Sequence, residues 1–209
     1  HFWTGEILNV DTPIIAVLGT DCAVGKRTTA RFILEACKTL GIKTELIFTG
    51  QTGWMQGYKH GFIFDATPND FVSGELERVI MECVKNSKPE LILVEGQSSL
   101  QNPSGPGGSE FILSGNATGI ILVHPLGRKF FVDLEEFEYP IPELEDEVKL
   151  IESYGTKVIG IGLNEENASL EELREFQKIT ENNLNIPVIL PLTDGVANFA
   201  NYIKENILV

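Results

Sequence analysis

The sequence predicts an α/β fold: a mainly parallel sheet with helices on both faces, in three layers. Two observations carry this. Past one or two opening residues, the stretches 13–18, 89–94, 118–123 and 157–163 carry no polar side chain and do not alternate, as strands covered on both faces must be. Segments with helical spacing lie between them, the alternation expected of a parallel sheet. A third observation concerns place. The residues that carry chemistry fall at the C-terminal ends of the predicted strands, where such sheets bind their ligands.

The first strand, 13–18, runs into Gly19-Thr20-Asp21-Cys22-Ala23-Val24-Gly25-Lys26-Arg27-Thr28, and a helical pattern with Ala30, Ile33, Leu34 and Cys37 follows until Gly41. A strand, a tight loop and a helix start in that order form an anion cradle, because loop and helix N–H groups converge on one point. Gly25 lets the backbone approach a phosphate, and Lys26 adds a point charge. The loop departs from the G-x-x-x-x-G-K-[ST] pattern in two ways. Five residues separate Gly19 from Gly25, and Arg27 stands where a metal-binding hydroxyl is expected. Thr28 comes one residue later, about 100° further round the helix.

Lys43 to Thr49 reads as the second strand. The loop Gly50 to Gly57 after it is too glycine-rich for a helix interior, and its Trp54 and Met55 offer either an apolar wall for a ligand or a buried turn. Phe62 to Phe64 is a short apolar stretch, and Asn69 or Asp70 is a cap for a helix through Val84. Strand 89–94 delivers Glu95, a carboxylate suited to holding a metal-bound water or polarising a substrate. The turn-rich run 102–109 is a lid or a plain surface loop. His124 ends strand 118–123, with Arg128 close behind as an anion clamp. The stretch 133–147 is a solvated connection into a helix ending near Tyr154, and strand 157–163 ends at Asn164. Ser169 and Glu172 form a capping-box pair for helix 169–182. The strand 187–190 and the helix 194–203 close the chain.

Composition narrows the partners. With 209 residues and 43% apolar content, the chain is long enough for one packed core. It carries 16 basic and 30 acidic residues, net −14. Such a field disfavours nucleic acid and anionic membranes and leaves a small molecule as the expected partner. An anionic ligand must then be held by local groups such as Lys26, Arg27 and Arg128. Cys22, Cys37 and Cys83 show no paired spacing, which suits reduced thiols and a cytoplasmic setting. No apolar run reaches membrane-spanning length.

Gly19-Thr20-Asp21, Val24-Gly25-Lys26 and Val94-Glu95-Gly96 together resemble the dethiobiotin synthetase type of P-loop NTPase-like fold. A fuller resemblance runs through Gly19–Thr29, Thr49–Gly53, Asp70–Val72, Glu95–Pro103 and His124–Arg128. These stretches are similar to the P-loop domain family known as domain of unknown function 1611, loosely labelled NAD-dependent epimerase/dehydratase, which includes D-glutamate (D-amino-acid) N-acetyltransferases. Ser98 stands where that family's pattern has glycine, and Asn102 where it has histidine.

The resemblance implies acetyl transfer from acetyl-CoA to the amine of a D-amino acid. On that reading Gly19 to Thr28 hold the donor's phosphates, and Glu95 or His124 takes the ammonium proton. Arg128 clamps a carboxylate, and Gln51, Thr52, Gly53 and Gln97 line the substrate's place. No resident metal is expected. The rival is an ATP-dependent ligase or kinase-like enzyme with Thr28 and Glu95 on Mg²⁺, and a non-catalytic nucleotide-binding domain is the third reading. The family also implies an N-terminal Rossmann-like domain, which makes residues 1–12 a lead-in segment or linker and 13–209 the P-loop domain. Self-association is left open.

Overall fold

Strands that are apolar on both faces belong in the middle of a sheet, and the computed structural model, which describes residues 1–208, puts them there. Seven parallel strands lie in the order β3-β2-β4-β1-β5-β6-β7. They are β1 Ile14–Gly19, β2 Thr44–Phe48, β3 His60–Gly61, β4 Leu91–Glu95, β5 Gly119–Pro125, β6 Val158–Asn164 and β7 Val188–Ile189. β1, wholly buried, is flanked by β4 and β5. Its side chains alternate between two cores, as the period of two requires. Ile14, Ala16 and Leu18 face one, Ile15 and Val17 the other.

Among the described residues seven α-helices flank the sheet: α1 Lys26–Thr39, α2 Gln51–Met55, α3 Asn69–Ser87, α4 Ser109–Leu113, α5 Leu144–Ser153, α6 Leu170–Leu184 and α7 Ala197–Asn206. Ile33 and Leu34 of α1 pack with Phe199 and Ile203 of α7 on the Ile15 and Val17 side. On the other face Leu76, Val79 and Ile80 of α3, Val148 and Ile151 of α5 and Leu173 of α6 close the second core. The result is the three-layer α/β arrangement that the apolar runs imply. Among the described residues no helix is long and apolar enough to cross a membrane.

Several boundaries differ from the sequence reading, each for a local reason. Residues 51–55 form a short helix despite Gly53. Trp54 and Met55 are not buried there but 65% and 71% exposed. The short apolar stretch Phe62 to Phe64 follows β3, and the Phe62 and Phe64 amides bond to the Phe48 and Thr49 carbonyls. Asn69 lies inside α3 with Pro68 before it, and neither Asn69 nor Asp70 caps the helix. Ser169 and Glu172 do form the full capping box of α6. The edge strand β7 is only two residues long. Its outward backbone is covered by side chains, with Gln177 Nε2 donating to the Val188 carbonyl and the Val188 amide donating to Glu181. Covering an edge in this way blocks further strand addition.

The lead-in segment is fixed from below by one carboxylate. Glu77 of α3, buried, accepts from the Thr4 amide at 2.5 Å, the Thr4 hydroxyl at 3.1 Å and the Ile7 amide at 3.2 Å. Replacing it by a similarly sized apolar group strands those donors. Glu77→Leu is expected to destabilise the domain by about 2–4 kcal/mol, read from urea unfolding. A loss under about 0.5 kcal/mol, the usual size for a surface change, would mean that residues 4–7 are not held in this way.

Candidate functional site

Register brings the chemistry to one edge. Val17 pairs with Glu95, and Gly19 with Val123. The loop after β1, the end of β4 and the end of β5 are therefore neighbours. Between β1 and α1 the chain turns through Ala23 at φ 52° and Gly25 at φ 96°. The left-handed conformation at Gly25 is one that residues with a Cβ adopt rarely, and it aims the start of α1 at the cleft. Cys22 N–H donates to Asp21 Oδ1, and the Thr20 and Thr29 amides bond to the Val123 and Gly25 carbonyls. Among the described residues nothing accepts from the amides of residues 23–28. Six N–H groups without a partner, in a loop and the helix start that follows it, supply the donors of an anion cradle.

The cleft at this edge has a volume of about 200 Å³ and is bounded by the loop from Cys22 to Thr28, by Gly50, Gln51 and Thr52, and by Glu95 to Ser98. Lys26 is buried on its inner side. Its Nζ donates to the Asp21 carbonyl at 2.7 Å and the Ser98 carbonyl at 2.8 Å. Burial pushes this ammonium down to about 8, with nearby acidic groups offsetting part of the effect. Ser98, at φ 51°, donates its hydroxyl to the Gly105 carbonyl and holds the 98–105 turn beside the cleft.

Glu95 faces Lys26 across this space. Its Oε1 lies 3.4 Å from Arg27 Nη1, and its Oε2 accepts weakly from the Thr49 amide at 3.4 Å. Thr49 Oγ1 donates to the Glu95 carbonyl at 2.7 Å and accepts from Gln97 Nε2 at 3.0 Å. A Cβ on Gly53 would overlap the Phe48 side chain and come within 3.1 Å of Glu95 Oε2, so the absence of a side chain there makes room for the carboxylate. Burial raises the Glu95 pKa, and the Thr49 bond and Arg27 charge offset only part of that. A buried carboxylate with a raised pKa is a stronger base than a free one.

The structure separates the other two expected catalytic groups from this cleft. Arg128 Nη1 donates to Asp21 Oδ2 at 2.7 Å and to the Cys22 carbonyl at 2.8 Å. It braces the loop from behind and does not line the cleft. His124 lies behind the loop as well. Its Nδ1 is 3.0 Å from Thr20 Oγ1, and its ring stacks on Phe176 with centroids 5.8 Å apart. Burial takes its pKa down to about 4, so the ring is neutral at pH 7. Of the residues expected to contact substrate, Gln51, Thr52 and Gln97 line the cleft, and Gly53 lies just behind Glu95. The sequence reading missed the roles of Asp21, Thr49 and Asn164. Asn164 Nδ2 supports the loop by donating to the Val24 carbonyl at 3.0 Å. Its place at a strand end was the one signal for it.

Comparison with known proteins identifies the fold and family. The family model described as Domain of unknown function (DUF1611_C) P-loop domain matches residues 1–200. The chain belongs to this P-loop domain family. A D-glutamate N-acetyltransferase from Pseudoalteromonas sp is 28% identical over 200 residues, covering 93% of this chain and 59% of the relative. The crystal structure of a DUF1611 family protein from Anabaena variabilis superposes with a TM-score of 0.88 at 26% identity, over 99% of this chain and 61% of that one. Cobyrinic acid a,c-diamide synthase from Mycobacterium smegmatis, solved with an ATP analog and magnesium, shares the fold with a TM-score of 0.57 at 14% identity over 93% of this chain. The P-loop NTPase-like architecture is therefore that of the chain. The chain spans about three fifths of the length of its P-loop family relatives.

The neutral His124 has a measurable signature. The unfolded chain takes up its proton near pH 6.5 and the folded one only near 4, so its contribution to stability is lost as pH falls through that window. In His124→Asn, which keeps a polar partner for Thr20, the acid loss of stability should be smaller by roughly 3 kcal/mol once titration is complete. Equal acid sensitivity in both proteins, measured by urea unfolding from pH 7 to 3.5, would exclude a buried neutral imidazole.

Proposed function

We propose that the chain forms the donor-binding part of an N-acetyltransferase, taking the phosphates of acetyl-CoA in the loop from Cys22 to Thr28, with the buried Gly19, Thr20 and Asp21 framing that loop rather than meeting the phosphates, for transfer of acetyl to the amine of a D-amino acid. One observation carries this reading. The unpartnered amides of residues 23–28 and the Lys26 ammonium share a cleft with a single buried carboxylate, Glu95. An anion hold and a base thus lie side by side. The relative named D-glutamate N-acetyltransferase supplies the reaction class.

The residues fit such a donor. Coenzyme A bears a diphosphate and a 3′-phosphate, and a P-loop holds phosphates through amides and charge. Acetyl-CoA supplies an acetyl group activated as a thioester. The protein's part is to hold and to deprotonate. Lys26 and the loop amides fix the phosphates, while Gln51, Thr52 and Gln97 present the polar wall for the amino acid. Glu95 accepts a proton from the substrate ammonium, leaving an amine able to attack. In the proposed reaction the new C–N bond forms as the C–S bond breaks, and the departing thiolate is protonated. We further propose that the rest of the longer protein, an N-terminal Rossmann-like domain, completes the acceptor side.

Thermal stabilisation tests the donor. Acetyl-CoA in large excess over its Kd should stabilise the domain by about 3 kcal/mol, and coenzyme A without its 3′-phosphate by less. A shift with Mg-ATP alone would transfer the cleft to an ATP-dependent reaction, and no shift with any of them would favour a non-catalytic domain. Lys26→Ala should abolish the shift.

Titration of Lys26 sets a pH limit. Its charge is lost above about 8 in the free protein, so calorimetric affinity for acetyl-CoA should be level up to about pH 7.5 and then fall, approaching tenfold per pH unit. A level affinity to pH 9.5 would mean that Lys26 does not meet the phosphates.

A further inference from the structure

A P-loop that works with a divalent cation needs a hydroxyl after its lysine and an acidic group opposite to complete the metal shell. Neither is free here. Arg27 occupies the hydroxyl's place as the second residue of α1. Its guanidinium, with the side chain 34% exposed, lies 3.4 Å from Glu95 Oε1, whose side chain is 4% exposed. The carboxylate that a metal would need is thus already faced by a positive charge. Thr28 borders the cleft, but it also borders a separate groove beside Asn164 and Leu192, as its turn round the helix dictates. Among the described residues no cluster of three or more His, Cys, Asp or Glu side chains could hold a metal ion. A divalent cation at Glu95 would meet the guanidinium at close range and be repelled. The donor set does not fit Mg²⁺.

What stands in the metal's place has the right chemistry for the same task. A guanidinium is planar, permanently charged and able to bond two phosphate oxygens at once. It lines the cleft together with Lys26 and the loop amides. It is tethered only by one long bond to Glu95, with its other nitrogens unbonded to protein among the described residues. We infer that Arg27 replaces the divalent cation of this cleft, so that the phosphate-bearing ligand binds as the metal-free anion and competes with Glu95 for the guanidinium. The inference rests on the phosphate-binding reading of the cleft, but not on acetyl transfer. It also gives Arg27 a second consequence. A ligand that draws the guanidinium toward its phosphates leaves Glu95 without its ion-pair partner, and so makes the carboxylate available once the cleft is filled.

Calorimetry on the chain separates the alternatives, with acetyl-CoA and ATP as probes, each in EDTA and in excess MgCl₂. Acetyl-CoA should bind with the same affinity within twofold in both buffers. Arg27→Ala should weaken it at least tenfold, and Arg27→Lys by less, since a point charge replaces a fork. Arg27→Thr restores the hydroxyl and frees Glu95, so its binding of ATP should become Mg²⁺-dependent.

Glu95→Gln gives opposite signs on the two views. With Arg27 released from its competitor, affinity in EDTA should rise several-fold, whereas a lost metal ligand would lower it in MgCl₂. Melting curves of the free variants report folding independently. Binding that requires Mg²⁺, or weakening by Glu95→Gln, would overturn the inference and leave the phosphate cradle standing. No binding of either probe in either buffer would overturn both.

Discussion

The loop that defines this domain depends on a carboxylate that lies outside the cleft lining. Asp21 is fully buried. A carboxylate out of water is costly unless its oxygens are bonded and its charge matched. Here Oδ1 takes the Cys22 amide at 2.6 Å, while Oδ2 takes the Val132 amide at 2.8 Å and Arg128 at 2.7 Å. Those bonds tie the start of the loop to the segment after β5. The next residues are then confined to a path that includes Ala23 in the left-handed region, a conformation that persists only when its surroundings dictate it. The open amides of the cradle are a product of this restraint. Arg128 is consequently a part of the loop's frame, with Nη1 already committed to Asp21 and the Cys22 carbonyl.

Lys26 provides the second restraint and does so without losing its use. An ammonium has three donors. Two are given to carbonyls on different walls of the cleft, Asp21 and Ser98, which leaves one for a ligand. The walls are therefore joined before anything binds, so little ordering is left for the binding step to supply. This arrangement carries a cost in charge burial, visible as the lowered pKa of Lys26. The acidic groups around it, Asp21 and Glu95, keep the cost bearable.

Much of this was legible in the sequence, for definite reasons. Unbroken apolar runs marked β1, β4, β5 and β6, because strands buried on both faces tolerate nothing else. Gly25 and Lys26 marked the cradle, since few residue types suit a left-handed turn before a helix. Glu95 stood out as a charge closing an apolar run. The short elements were harder. Residues 51–55 are helical because the chain after β2 must turn over Glu95, and that is a tertiary demand. The placement of His124 was hidden for a similar reason. A histidine at a strand end looks free in one dimension, and only the packing of α6 shows Phe176 covering its ring. Pairings such as Asp21 with Arg128, 107 residues apart, leave no local pattern at all.

The remaining tension lies in charge. A chain with net charge −14 repels an anion at a distance, yet its cleft gathers two cations and a row of open amides. The two are compatible because they act over different ranges. Beyond about 8 Å in physiological salt the surface charges are largely screened. Inside the cleft, oriented amides and two cations act at bonding distance in a partly dry space, where the same charges count for more. Acidity of the surface then slows encounter without cancelling capture. It also leaves selectivity to the groups that line the cleft, where Glu95 stands against two cations, Lys26 and its ion-pair partner Arg27.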